Sequence, residues 1–207
     1  MQCFVIGLSS PSGGGKTTVV QQLAAAAPNA VALCFDLYDE IAEGANVHPP
    51  DLQQWLAAGA DYNAWQMPRL LHDIKRLKQG EPISSPVDGT LIVPQPLLFL
   101  DVAFGRAHAG LRPYLDFMVY IDTPLDVALA RRLQRDYLNR NWVEPQTALA
   151  ELRATTTAYL TWARAAYLAL DRQVKPQCDL IVDGGLAVDL LVAQILAAVK
   201  VRLPSQS

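Results

Sequence analysis

Short apolar runs alternate with amphipathic stretches along most of the chain. Five of the runs lack regularly spaced polar positions, which is typical of strands buried on both faces of a parallel sheet. We predict these strands at residues 3–8, 31–35, 97–100, 116–121 and 179–182. The spacing of apolar residues and the helix-ending residues predict helices at residues 16–27, 51–56, 63–79, 124–137, 146–172 and 188–203.

Strands that alternate with helices predict a three-layer α/β/α sandwich around a five-stranded parallel sheet. Residues 81–96 are rich in proline and turn residues, so we expect a loop or a short edge hairpin there. Before the fourth helix, Thr123 is a predicted N-cap, Pro124 fits the first helical position, and Asp126 completes a pair resembling a capping box. The length of 207 residues predicts a single domain.

The composition narrows the class of protein. With 51% hydrophobic and 18% charged residues the chain is globular, and its formal charge of −3 argues against a general binder of nucleic acids or anionic membranes. No apolar run approaches the roughly 18 residues of a membrane span. Three cysteines without paired spacing predict free thiols in a reducing compartment, so we expect a cytoplasmic protein. A homo-oligomer is compatible with the sequence.

A glycine-rich turn, Ser9-Ser10-Pro11-Ser12-Gly13-Gly14-Gly15-Lys16-Thr17-Thr18, joins the first strand to the first helix. Strand, small-residue turn, Lys-Thr and helix are the context of a P-loop, in which backbone N–H groups wrap a phosphate. Lys16 would reach the β- and γ-phosphates of ATP, and the Thr17 hydroxyl would hold Mg²⁺. Ser10 stands where the strict pattern has glycine. The predicted nucleotide-binding residues are Ser12, Gly13, Gly14, Gly15, Lys16, Thr17 and Thr18.

Two strand-end carboxylates suit a kinase. Asp36 could face the γ-phosphate and accept the proton of an acceptor hydroxyl, and Asp101 could order Mg²⁺ or act as a second catalytic carboxylate. The alternative for each is a turn residue or cap. The chain lacks the Asn-Lys-x-Asp segment of a GTPase and the further signatures of AAA+ or ABC motors.

Arginines cluster late in the fourth helix and just beyond it, at Arg131, Arg132, Arg135 and Arg140. Their guanidinium groups could form a lid that neutralises charge on the phosphoryl group in transfer. The alternative is favourable pairing of cations with the helix C-terminus, which explains one or two of them but not Arg140.

This order of motifs resembles the uridine kinase-like branch of P-loop kinases, which also includes phosphoribulokinase and pantothenate kinase. Besides the P-loop, the resemblance rests on Asp36-Leu37-Tyr38, Leu98-Phe99-Leu100-Asp101, Tyr120-Ile121-Asp122-Thr123, Arg131-Arg132-Leu133-Gln134-Arg135-Asp136 and Cys178-Asp179-Leu180-Ile181-Val182-Asp183-Gly184-Gly185. It implies a single P-loop kinase domain with a lid near 136–147 and an acceptor-side segment near 38–66. It also implies that Asp36 is the general base and that Arg132, Arg135 and Arg140 are the lid arginines.

The acceptor side departs from that family. Its aromatic-Asp-His-Pro segment is not recognisable, and residues 47–65 take its place. The candidate acceptor residues are Tyr38, His48, Asp61, Tyr62, Trp65, Arg106 and His108. Trp65 could instead belong to the core, and His48, Arg106 and His108 could simply face water.

The leading hypothesis is therefore an ATP- and Mg²⁺-dependent kinase that phosphorylates a hydroxyl of a small metabolite, either a nucleoside or a non-nucleoside of the pantothenate or sugar type. The other class left open is an ATP-binding regulatory NTPase that has no acceptor.

Overall fold

A computed structural model describes residues 3–139 and 144–203. Its central sheet has five parallel strands in the order β2-β5-β1-β6-β7. These strands are β1 (Phe4–Ser9), β2 (Ala30–Cys34), β5 (Leu97–Asp101), β6 (Phe117–Asp122) and β7 (Leu180–Asp183). The predicted five-stranded parallel sheet is confirmed.

A two-stranded antiparallel hairpin, β3 (Ile83–Ser84) and β4 (Leu91–Ile92), lies apart from the sheet. It corresponds to the hairpin that the proline- and turn-rich segment allowed. The helices of the described ranges are α1 (Lys16–Ala26), α2 (Leu52–Ala57), α3 (Pro68–Lys78), α4 (Leu125–Leu133), α5 (Pro145–Ala158), α6 (Arg164–Gln173) and α7 (Val188–Arg202).

Helices cover both faces of the sheet. Buried residues of α3 and α6 pack on one face, and buried residues of α1 and α7 pack on the other. Alternation along the strands supplies both cores, since Val5 belongs to the first core and its neighbour Ile6 to the second. The three-layer arrangement is thus set by strands that are apolar on both faces.

Two predicted helices are interrupted by π-helical turns. The helix expected at 146–172 consists of α5, a π-helical turn at Tyr159–Ala163, and α6. The helix expected to reach residue 137 changes at Gln134–Leu138 into a second π-helical turn. Such turns often occur at functional sites, and the second one carries Arg135.

The predicted cap of α4 is wrong. Pro124 is the N-cap residue, and the Thr123 hydroxyl instead donates a hydrogen bond to the Gly14 carbonyl at 3.0 Å. Thr123 is buried there, so its side chain ties the end of β6 to the P-loop rather than capping its own helix.

Within the described ranges, no helix is long and apolar enough to cross a membrane. All three cysteines are free. Cys3 and Cys34 are buried, and burial raises their thiol pKa values to about 11 and about 12. These thiols are therefore protonated near neutral pH and unreactive.

Candidate active site

The strand order brings three separate parts of the sequence to one edge of the sheet. Strand β5 lies between β1 and β2, and Asp101 is in register with Leu8 on one side and with Cys34 on the other. The P-loop follows β1 and Asp36 follows β2. Because parallel strands end at the same edge, the phosphate loop, Asp101 and Asp36 converge there.

The P-loop has the backbone that a phosphate cradle requires. Gly13 and Gly15 adopt left-handed conformations, with φ of 84° and 97°. Gly15 is the N-cap of α1 and provides no side-chain cap, so the helix terminus is open to an anion. Apart from its two chain neighbours, no atom of residues 3–139 or 144–203 lies within 4 Å of the position that a Cβ of Gly15 would take. The loop therefore leaves room for a phosphate group at the positive end of the helix.

Ser10 fits this loop although glycine is usual there. Its side chain is fully buried, and its hydroxyl donates to the Pro11 carbonyl at 3.0 Å. The hydroxyl occupies space that a side chain on Gly14 would need. The added volume at Ser10 is thus accommodated by the glycine four residues later, and the bend of the loop is kept.

The Lys-Thr pair of the loop has oxygen partners. The Lys16 Nζ donates to the Ser10 carbonyl at 3.0 Å, and the Thr17 hydroxyl donates to the Asp101 carboxylate at 2.5 Å. Asp101 is only 7% exposed. A hydroxyl beside a carboxylate is the hard oxygen donor set that suits Mg²⁺, which takes few protein ligands and keeps several waters. The residues present therefore fit a nucleotide-bound magnesium ion.

Ser12 lies in the turn of the loop and is partly exposed, whereas Thr18 is exposed in the first turn of α1. The structure thus places the whole predicted P-loop set around the N-terminus of this helix. In the described part of the chain, no cluster of three or more His, Cys, Asp or Glu side chains could hold a metal without a nucleotide.

Asp36 lies in a single 3₁₀ turn, Phe35–Tyr38, directly after β2. Its carboxylate remains accessible to solvent. Desolvation raises the pKa of Asp36 above its ordinary value, and the Asp101 carboxylate raises it further, whereas Lys16 and Arg135 lower it. These four groups are close enough to act on one another's charge, as expected for a carboxylate facing a phosphate site.

Two of the predicted lid arginines reach this region. Arg132 donates to the Tyr167 hydroxyl at 3.1 Å, and its Cβ borders the space above Gly13. Arg135 forms a two-bond pair with Asp136 at 2.6 and 3.2 Å. Arg131 instead binds the Gly184 carbonyl, and Arg140 lies outside the described residues.

A cluster of aromatic rings surrounds Phe35, the residue before Asp36. It consists of Phe35, His48, Trp55, Tyr62, Trp65 and Phe104. His48 and Trp65 are 4.8 Å apart between ring centroids, and Trp65 and Phe104 are 4.9 Å apart. The structure therefore brings three predicted acceptor residues, His48, Tyr62 and Trp65, into one cluster, but Tyr62 is only 3% exposed and belongs to the hydrophobic core, with Trp65 partly buried against it. Asp61 lies at its border, where it caps a short turn by accepting from the Asn63 amide.

Tyr38 does not face the site. Its side chain is fully buried, and its hydroxyl donates to the Asp73 carboxylate at 3.1 Å. Asp73 is also buried and accepts from Arg69 at 2.9 Å. Tyr38 thus anchors the turn that carries Asp36, and this placement argues against direct contact with an acceptor.

Arg106 and His108 also have structural partners. Arg106 pairs with Asp179 at 2.7 Å and donates to backbone carbonyls that precede β6 and β7. These carbonyls lie at the amino ends of the two strands, whereas the P-loop lies at the carboxyl ends of the sheet. In His108, Nδ1 accepts from the Leu111 amide, so Nε2 carries the proton that is donated to the Trp65 carbonyl at 2.9 Å. Both ring nitrogens are occupied, which argues against an acceptor role for His108.

His108 and Trp65 also line a shallow cavity of about 270 Å³, together with Asn63, Gln66, Met67, Pro68 and Leu71. The cavity is mainly apolar, and His108 contributes to its wall rather than offering it a free nitrogen.

Sequence patterns did not point to Asn46, Asp39 or Asp73, which organise the turn around Asp36. Asn46 donates to the Phe35 carbonyl at 2.9 Å and to Asp39 at 2.8 Å. The one available signal was the second aspartate of Asp36-Leu37-Tyr38-Asp39; a lone Asn in a polar loop carries none.

Comparison with known proteins places the chain among P-loop kinases. Residues 5–143 match the model of the Phosphoribulokinase / Uridine kinase family. A uridine kinase of Borrelia duttonii (strain Ly) is 27% identical over 192 residues, which cover 87% of this chain and 86% of the relative. Two solved structures share the fold at 18% identity. One is a possible uridine kinase from Bacillus stearothermophilus (TM-score 0.50, covering 88% of this chain and 90% of that one). The other is shikimate kinase from Acinetobacter baumannii in complex with shikimate (TM-score 0.51, 96% and 94%).

Proposed function

Because the chain belongs to the phosphoribulokinase/uridine kinase family and is a phosphotransferase acting on an alcohol, we propose that it transfers the γ-phosphoryl group of ATP to a small-metabolite hydroxyl. The observation that carries the proposal is the convergence at one sheet edge of the P-loop, the Thr17–Asp101 pair and Asp36. We also propose a cytoplasmic location, which the three free thiols support.

Each residue has a separate role in this proposal. The loop amides and Lys16 hold the β- and γ-phosphates, and Thr17 with Asp101 holds the magnesium ion of the nucleotide. When bound, this ion would neutralise negative charge on the phosphate oxygens. Asp36 orients the acceptor hydroxyl and takes its proton while the acceptor oxygen bonds to phosphorus and the bond to ADP breaks. Catalysis is then mainly positioning and electrostatic stabilisation.

Arg132 and Arg135 complete the phosphate side of the site. Guanidinium groups bind phosphate oxygens in a planar, two-bond geometry that lysine cannot reproduce. Their present partners, Tyr167 and Asp136, hold them at the end of α4, a helix that borders the P-loop at Gly13. We assign them the role of stabilising the negative charge that develops on the phosphoryl group in transfer, and we give Arg140 the same role from its sequence position.

A nucleoside is the first acceptor class to test, because the matched relative is named a uridine kinase. The neighbouring rings of His48, which is exposed, and Trp65, which is half-buried, support an acceptor with a flat ring, which stacks on such side chains. A non-nucleoside acceptor is the second class, since the same fold in shikimate kinase is seen in complex with shikimate.

An acceptor screen tests the proposal. ADP release from ATP–Mg²⁺ is measured with separate pools of nucleosides, sugars and vitamins, and the product of any active pool is identified. We expect one pool to raise turnover well above the ATP-only rate, and Lys16→Ala to remove that increase. If every pool leaves turnover at the ATP-only rate, the kinase proposal fails and a regulatory NTPase without an acceptor takes its place.

A further inference from the structure

We propose that Asn46 is a positioning residue for phosphoryl transfer, because it holds both ends of the turn that carries Asp36. This inference rests on the proposed function, in which Asp36 orients and deprotonates the acceptor. Asn46 does not touch the reacting atoms itself. It acts through the backbone of the 3₁₀ turn Phe35–Tyr38.

Asn46 donates hydrogen bonds to one residue before Asp36 and to one residue after it. Its side-chain amide donates to the carbonyl of Phe35, the residue before Asp36, at 2.9 Å. Its backbone amide donates to the carbonyl of Tyr38, two residues after Asp36, also at 2.9 Å. Only the bond to Phe35 depends on the asparagine side chain, because any residue other than proline supplies the backbone amide.

The second side-chain proton of Asn46 extends the same support. It is donated to Asp39 Oδ1 at 2.8 Å, and the same oxygen lies 3.0 Å from His48 Nε2. The backbone amide of Asp39 in turn donates to the Asp36 carbonyl at 3.3 Å. Asn46 therefore uses both of its Nδ2 protons on groups that border Asp36.

The side chain of Asn46 is buried at the turn. The residue is 8% exposed, and its Oδ1 is buried without a hydrogen-bond partner among the described residues. A buried polar atom without a partner costs roughly 1–3 kcal/mol. The three hydrogen bonds that Asn46 donates, worth about 0.5–1.5 kcal/mol each, offset this cost, so the positioning role follows from where these bonds lie around Asp36.

The opposite side of the turn has its own anchor. Tyr38 binds Asp73, which Arg69 holds. With Tyr38 fixed, loss of Asn46 releases mainly the Phe35 end of the turn, where Asp36 lies. A displacement on the order of 1 Å in a catalytic group can lower turnover up to about 100-fold.

The first test needs no acceptor. Hydrogen–deuterium exchange and ¹³C NMR titration of Asp36 are measured on the full chain, with the Asp36 signal assigned from its loss in Asp36→Asn. We expect Asn46→Ala to speed exchange in residues 35–39 at least about 10-fold, since the turn opens more often. The pKa of Asp36 should fall, because a released carboxylate gains water and moves away from Asp101, although Asp39, Lys16 and Arg135 also act on it.

Asn63→Ala is the matched control. Asn63 lies in the same segment and donates its side-chain amide to Asp61 at 2.8 Å, but none of its bonds reaches the Asp36 turn. Exchange in residues 35–39 should stay at the wild-type rate in this variant. Wild-type exchange in Asn46→Ala would overturn the inference. If that variant does not fold, Asn46→Ser removes the same two Nδ2 donors with a smaller loss of packing.

The second test asks whether Asn46 acts through Asp36. The kcat for transfer is measured with the combined nucleoside, sugar and vitamin mixture as acceptor, for Asn46→Ala, Asp36→Asn and the double variant. We expect Asn46→Ala to lower kcat about 10- to 100-fold with an unchanged KM for ATP. In the Asp36→Asn background the same change should cost less than about 3-fold, since coupled residues are not additive.

An equal loss in both backgrounds would overturn the positioning role while leaving the proposed function intact. Failure of the wild-type protein to transfer phosphate to any component of the mixture would instead overturn the proposed function, and the exchange measurement would still decide whether Asn46 holds the turn.

Discussion

A single methyl group added at Gly15 should separate the phosphate-binding role of this residue from its role in backbone conformation. Gly15 has a φ of 97°, and Gly59, at the end of α2, has a φ of 100°. At both positions a Cβ would have no atom within 4 Å among the described residues, its chain neighbours aside. The two glycines therefore impose the same backbone demand, but only Gly15 borders the proposed phosphate site.

The expected loss of stability follows from that shared geometry. A left-handed conformation costs an alanine roughly 1–2 kcal/mol relative to glycine, and the part of the chain that the structure describes adds no steric collision at either position. For a domain of this size about 1 kcal/mol lowers Tm by about 2–4 °C. Gly15→Ala and Gly59→Ala should therefore both lower Tm by about 2–8 °C.

Their affinities for ATP should differ. The methyl group of Gly15→Ala enters the space over the N-terminus of α1, where a phosphate would approach the backbone amides. We expect its Kd for ATP–Mg²⁺, measured by calorimetry, to rise at least about 10-fold, which is about 1.4 kcal/mol. Gly59→Ala should keep the wild-type Kd. Equal ATP affinity in the two variants would refute the phosphate cradle, even if both lost the expected stability.

Predictions for three other variants follow from the same geometry. Asp36→Asn should lower transfer about 10²- to 10⁴-fold while ATP affinity persists, and near-normal transfer would exclude Asp36 as the base. Because the pKa of Asp36 is raised in the folded protein, its contribution to stability is present when it is protonated and is lost as pH rises through that pKa, so Asp36→Asn should raise Tm at pH 7. Asp101→Asn should raise the Mg²⁺ concentration needed for half-maximal turnover, and an unchanged Mg²⁺ curve would contradict its place beside the metal. Arg106→Met should lower Tm without changing the KM of the acceptor, because it removes the pair with Asp179; a changed KM would restore Arg106 to the acceptor site.

Local sequence was sufficient for the P-loop, because all of its parts lie within ten consecutive residues. The places of Asp36 and Asp101 were predictable for a different reason. Asp101 ends the fully buried strand β5 and Asp36 follows the apolar strand β2, and parallel strands end at one edge of a sheet. Their approach to the P-loop therefore depends on strand direction, which the alternation of strands and helices already indicated.

Side-chain partners distant in sequence were not predictable in this way. Thr123 had every local feature of an N-cap, yet its hydroxyl binds Gly14, 109 positions away. His108, a polar residue in a turn after β5, was a candidate for binding the acceptor, but its ring donates to the Trp65 carbonyl, 43 positions away. Spacing along the chain predicts which face a residue occupies and says nothing about which distant carbonyl or carboxylate it meets there.

The charge distribution explains how this site can hold several cations before a nucleotide arrives. Lys16 binds a loop carbonyl, Arg132 binds a tyrosine hydroxyl, and Arg135 is paired with Asp136. The hydrogen bond from Arg135 lowers the pKa of Asp136, so this carboxylate is charged and pairs with Arg135 at neutral pH. Asp136 also lies 3.5 Å from Arg132 Nε, so under the proposed function phosphate oxygens would replace one carboxylate at two guanidinium groups and a carbonyl at Lys16. Binding would then exchange partners rather than neutralise bare cations, so affinity would depend on how well the phosphate geometry matches the positions of the donors.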